Sequence, residues 1–197
     1  MPHAFAFLVE SYETEFFKTL AVWREFSDAD LGHRVEPRAR TLHEQMVHQC
    51  VSEDTWMRTM LGLASGLPPL PAEERCEAFI QHYAAAARAR LALLQAKPEA
   101  WFAEETGFFQ ETRSRAWVLV RRMTHSAHHR GQLTLLARAL GKDLHSTYGP
   151  TADTGGLFQH QAPVVYRHPS LAALLADEAP ASLPGPGGHP VTERPGP

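Results

Sequence analysis

The sequence predicts an all-α protein: a four-helix bundle followed by an irregular C-terminal extension. Three observations carry this. Four segments place apolar residues at alternating spacings of three and four. Those segments run about 22 to 27 residues, joined by connectors of about 9 to 16, which suits a bundle. After Gly141 the composition changes to turn chemistry and then to proline and glycine. The expected organisation is a bundle over 1–141, an extension packed on or near it over 142–179, and a disordered Pro/Gly-rich tail over 180–197.

Helix one is expected over residues 4–26, where Phe5, Leu8, Tyr12, Phe16, Leu20 and Trp23 form one stripe and Glu10, Glu13 and Lys18 lie off it. The run Ser27-Asp28-Ala29-Asp30 ends it. Thr41 with Glu44 three residues on is a capping box that opens helix two, expected from Leu42 to about Leu63. Its mostly apolar edge is Leu42, Met46, Cys50, Glu53, Met57 and Met60, and Gly62 and Gly66 close it. The stiff Leu67-Pro68-Pro69-Leu70-Pro71 turn leads to helix three, with Cys76, Ile80, Tyr83, Ala87, Leu91 and Leu94 in register up to Pro98. In 99–112, Trp101-Phe102 and Phe108-Phe109 flank Gly107, which fits a short hairpin or an ordered crossover. Ser114 can cap a fourth helix that runs to Leu140, with Gly141 as its C′ residue. A short helix is expected over Ser170 to Asp177.

Composition narrows the function. The 197 residues are enough for one domain with a substantial core. A net charge of −3, with arginines interleaved among acids, offers no footprint for nucleic acid or an anionic membrane. No apolar run reaches the roughly 20 residues needed to span a bilayer. The N-terminus lacks a basic leader, and Cys50 and Cys76 make no disulfide framework, so a cytoplasmic setting is expected. The surplus is in histidine, with 12 in the chain.

The stretch Thr124-His125-Ser126-Ala127-His128-His129-Arg130-Gly131-Gln132 puts His125 and His129 one helical turn apart. With Trp117 at zero on a wheel they fall near about 80° and about 120°, astride an apolar line at about 100° through Val118 and Leu136. A one-turn imidazole pair can hold a single transition-metal ion, and it needs a third ligand from another helix. The plainer alternative is two histidines at the core edge, hydrogen-bonded to neighbouring helices. Helix two offers His43, in line with Val47, Cys50 and Asp54, and His48, in line with Glu44, Ser52 and Thr55. Periodicity slightly favours His43 as the inward one and leaves the choice open. Cys50 reads as a small buried hydrophobe, His128 as a pocket residue, and Arg130, opposite the pair, as a surface or dimer residue.

Two blocks give the chain a resemblance to a known family. His125-Ser126-Ala127-His128-His129-Arg130-Gly131-Gln132 is similar to the H-x-x-H-H-R-G-Q signature of the DinB/YfiT family, and Leu42-His43-Glu44-Gln45-Met46-Val47-His48, with Trp56 eight residues on, is similar to its helix-two block. The resemblance spans residues 4 to about 141. It implies a four-helix bundle with a non-standard helix order, often a homodimer, and a divalent metal, zinc or nickel, held by His48, His125 and His129. His43 then becomes a neighbour. Characterised relatives include transferases and isomerases that use bacillithiol, mycothiol or glutathione, and the family name refers to DNA-damage induction. The implied partners are a small-molecule thiol and an electrophile, with the metal favouring a thiolate that attacks an electrophilic carbon. A hydrolase using hydroxide at the same site, and a non-catalytic metal-stabilised stress-response module, are the alternatives. Glu44 and Gln132 are the candidate partners for the outer ring nitrogens. The tail of about 55 residues after Gly141, with the Tyr148 to Gly156 stretch at its head, departs from the family pattern, and a chain reversal there would return that stretch to the pocket mouth.

Overall fold

The structure, a computed structural model, describes residues 4–192. Four long helices form the bundle: α1 (Ala6–Trp23), α2 (Leu42–Thr55), α3 (Cys76–Gln95) and α5 (Arg115–Ala139), with a short α4 (Glu99–Ala103) and a hairpin, β1 (Glu105–Phe108) and β2 (Glu111–Ser114), between α3 and α5. Helix α1 packs between α3 and α5, and α2 packs on the other side of α5. The ring closes through side chains, where Tyr83 and Arg90 of α3 meet Glu53 and Asp54 of α2.

Local chemistry sets the ends. The capping box forms: Glu44 N–H donates to Thr41 Oγ1 at 3.1 Å and Thr41 N–H to Glu44 Oε2 at 2.7 Å. Helix α3 opens with Cys76 N–H donating to Asp28 Oδ1, which ties it to the 3₁₀ turn Asp28–Asp30 after α1. Ser114 Oγ accepts from Trp117 N–H at the start of α5, and Gly141 with φ +67° ends it.

Two expectations change, and the hairpin offered as one reading of 99–112 forms. Helix α1 ends at Trp23, because Ser27 and Asp30 hold the following turn through Asp30 Oδ2. Helix α2 does not run on to Leu63; after Thr55 one wide π-helical turn, Trp56–Met60, takes over. The 99–112 stretch resolves into α4 and then the hairpin, with Glu105 opposite Ser114 and Phe108 opposite Glu111.

The apolar core encloses a buried polar knot. Glu53, on the predicted apolar edge of α2, is 1% exposed. It accepts from Tyr12 Oη at 2.7 Å and from Tyr83 Oη, with Arg90 at 3.5 Å and Arg122 at 3.6 Å. A buried carboxylate persists because charges and donors meet it from three helices. Burial, then the charge on Glu53, pushes both phenol pKa values up, so the tyrosines remain donors.

The extension folds back on the bundle. Leu174 of α6 (Leu171–Leu175) is fully buried, and its carbonyl accepts from Arg24 Nη2 at 2.9 Å. His145 bridges Glu25 Oε1 and the Ala181 carbonyl, both at 2.8 Å. Residues 180–192 carry no helix or strand and are mostly exposed. Ala181 N–H donates to the Arg167 carbonyl, and Gln159 Nε2 to that of Thr192. Residues 193–197 of the expected tail lie outside the described residues.

Candidate metal centre

Helices α2 and α5 cross with their histidines facing. His48 of α2 comes against His125 and His129 of α5, with ring centres 5.3 and 4.6 Å away, and the α5 pair are 4.6 Å apart. One ligand atom from each lies within 4.8 Å of the other two. His129 is buried, and His48 and His125 are partly exposed, so the cluster opens to one side.

The hydrogen bonds decide which nitrogen each ring can offer. His129 Nδ1 donates to Gln45 Oε1 at 2.8 Å, which leaves its Nε2 as a lone pair. That atom faces His125 Nε2 at 3.3 Å. Two nitrogens each about 2.05 Å from a tetrahedral zinc would stand about 3.3 Å apart, so the spacing fits a shared divalent ion. Gln45 is held in turn, since its Nε2 donates to Gln132 Oε1 at 2.5 Å, and Gln132 Nε2 donates to His128 Nε2 at 2.8 Å.

All three rings are held neutral, as ligation requires. Burial lowers the His48 pKa, helped by Arg40 and Arg122. Burial, then Arg122, takes His125 down to about 4; burial, then His125 itself, takes His129 down to about 3. Trp56 stacks on His125, ring centres 5.5 Å apart at 24°. The wide turn at the end of α2 brings it there.

Other residues singled out in the sequence fall elsewhere. His43 pairs with Glu74 and lies edge-on to Phe79, outside the cluster, against the faint preference of the wheel. Glu44 caps α2 and contacts Arg34. Gln132 reaches His129 through Gln45 rather than directly. Arg130 is not a surface residue: it is 1% exposed, bound to Thr19 Oγ1 at 3.0 Å and to Glu15 and Tyr148. Tyr148 therefore lies against α1, and Asp153 pairs with Arg138 at 2.7 Å, nine residues beyond His129, so this stretch does not return to the site. Gln45 was missed. Its place three residues before His48, on the same face of α2, was the available signal. Both cysteines are buried: burial pushes Cys50 far up and Cys76 up to about 12.

A bundle that gathers three neutral imidazoles from two crossing helices defines a class, helical proteins with a candidate metal-binding centre. The DinB family model matches residues 1–156, through the Tyr148 to Gly156 stretch, and the chain belongs to the DinB family. A DinB-like protein from Bacillus cereus has the same fold at a TM-score of 0.64 and 21% identity, over 72% of this chain and 95% of that one. A DinB-like protein from Bacillus subtilis gives 0.56 and 16%, over 68% and 92%. No curated protein matches. Among the described residues no helix is long and apolar enough to cross a membrane.

Proposed function

We propose that the protein is a divalent-metal-dependent transferase that joins a low-molecular-weight thiol, of the bacillithiol type, to an electrophile, with His48, His125 and His129 as the ligands of zinc or nickel. The observation that carries it is the meeting of three neutral imidazoles with an open side. A divalent ion there would keep its full charge and favour the ionised form of a bound thiol near neutral pH. In the transfer the thiol loses its proton to solvent, a sulfur–carbon bond forms, and the leaving group departs with its bonding pair. Gln45 holds the His129 ring with Nε2 toward the cluster, and burial keeps all three rings from protonating. No internal thiol competes for the role, because a buried cysteine with a raised pKa is a poor nucleophile.

The test is metal content with a spectroscopic readout. Purified protein should carry close to one divalent ion per chain. His48→Ala, His125→Ala and His129→Ala should each lose most of it, and His43→Ala should keep it. In cobalt-substituted protein a low-molecular-weight thiol should raise a sulfur-to-metal charge-transfer band. Metal without any band or turnover across a panel of electrophiles would leave a non-catalytic metal module.

A further inference from the structure

Charge around the histidine cluster is one-sided. Among the described residues every arginine meets an acid within 4.0 Å except Arg40, Arg88 and Arg121. Two of those three stand by the candidate centre: Arg40 acts on His48 and His129, and Arg121 on His125. Arg122 adds its charge to theirs at His48 and His125.

Arg40 comes one residue before the Thr41 cap of α2 and lies where two hollows meet. One, of about 350 Å³, runs along α2, where Arg40 and His48 share the lining with Val47 and Val51. The other, of about 490 Å³, sets Arg38 and Arg40 against Gln45, Gln132 and Leu135. The same arginine therefore borders a proposed ligand and the glutamine that orients another.

The neighbouring charges are already answered. Glu44, in the α2 groove, accepts from Thr41 N–H at 2.7 Å and meets Arg34 at 3.5 Å. His43 pairs there with Glu74, and Arg38 pairs with Glu36 at 3.3 Å. Among the described residues the Arg40 side chain has no ion-pair or hydrogen-bond partner. A guanidinium stays charged at any ordinary pH and offers a carboxylate two parallel N–H donors. Beside it Val51 and Leu135 are 37% and 56% exposed, a surface for a carbon chain rather than a second charge.

We infer that Arg40 sets substrate specificity by binding the acid group of an anionic thiol whose sulfur reaches the three imidazoles along the α2 groove. This deepens the proposed function and rests on it. The acid belongs to the thiol because the groove that holds Arg40 opens on His48 itself, where the sulfur would be held. The chain between sulfur and acid lies over Val47 and Val51. Arg40 takes no part in making or breaking bonds.

The probes are 6-mercaptohexanoate and 6-mercaptohexan-1-ol, which share chain length and sulfur and differ in charge at the far end. They are titrated into cobalt-substituted protein and read by the charge-transfer band. The wild type should bind the acid about ten-fold more tightly, the size of one charge-assisted hydrogen-bonded pair, and high salt should shrink the preference. Arg40→Gln should cut it to about three-fold or less, with metal content, unfolding temperature and affinity for the alcohol unchanged. Arg88→Gln, the same charge loss on α3, should leave it intact. An undiminished preference in Arg40→Gln overturns the inference. So does an equal loss in Arg88→Gln, which would make the preference an effect of net charge. Metal lost from Arg40→Gln also overturns it, because Arg40 would then support the centre itself. Equal binding of both thiols to the wild type overturns the inference and leaves the thiol chemistry standing; no band with either removes both.

Discussion

Replacing Gln45 by leucine tests how the candidate centre is held. Gln45 is 3% exposed, and its Oε1 accepts from His129 Nδ1 at 2.8 Å while its Nε2 donates to Gln132. Leucine keeps the approximate volume and removes both bonds. His129 Nδ1 then loses a bond worth about 1 kcal/mol, and left buried without a partner it costs about 1–3 kcal/mol. The ring also becomes free to turn Nε2 away from His125. Loss of such an outer partner weakens a metal site by about 10–100-fold, or about 1.4–2.7 kcal/mol, which agrees with the hydrogen-bond figure. Competition titration of zinc against a chromophoric chelator should show that weakening for Gln45→Leu. Gln45→Glu, which keeps an acceptor and adds negative charge, should bind zinc at least as tightly as wild type. Affinity within two-fold of wild type in Gln45→Leu would refute the claim that this bond orients the ring.

The polar knot should be costly to break: Glu53→Ala takes the buried counter-charge from Arg122, leaves Arg90 with Asp54 alone, and a loss of about 3–5 kcal/mol should appear as a lower denaturant midpoint. The metal-free protein should lose stability on mild acidification. His125 and His129 ionise at about 4 and about 3 in the fold against an ordinary 6.5, so between those values the unfolded chain binds protons that the fold does not. Their contribution is complete above pH 6.5 and fades as pH falls toward 4. Urea unfolding at pH 7.5 and 5 should show the decline, and the double variant His125→Gln/His129→Gln should show less of it. The extension should behave as part of the folded unit: Leu174→Ala should cost about 2–5 kcal/mol, while removing residues 183–197 should shift the unfolding temperature by only a few degrees.

Much was legible in the sequence because it is local. Apolar spacing marked the four long helices, and Thr41 with Glu44, Ser114 and Gly141 marked three of their ends. One-turn spacing put His125 and His129 on one face of α5 before any packing was known. Periodicity left His43 and His48 open and the family resemblance pointed to His48; it is the tertiary structure that brings His48, rather than His43, to them. The wheel leaned the other way because it assumes that buried faces are apolar. The buried side of α2 instead includes Gln45, Gln49, Glu53 and Asp54, while Val51 is exposed, so hydropathy misjudges the helix's rotation. Arg130 deceived in the same way: its burial depends on Glu15, Thr19 and Tyr148, up to 115 residues away. A buried polar group is stable only with partners, and partners from other helices leave no periodic trace in the sequence.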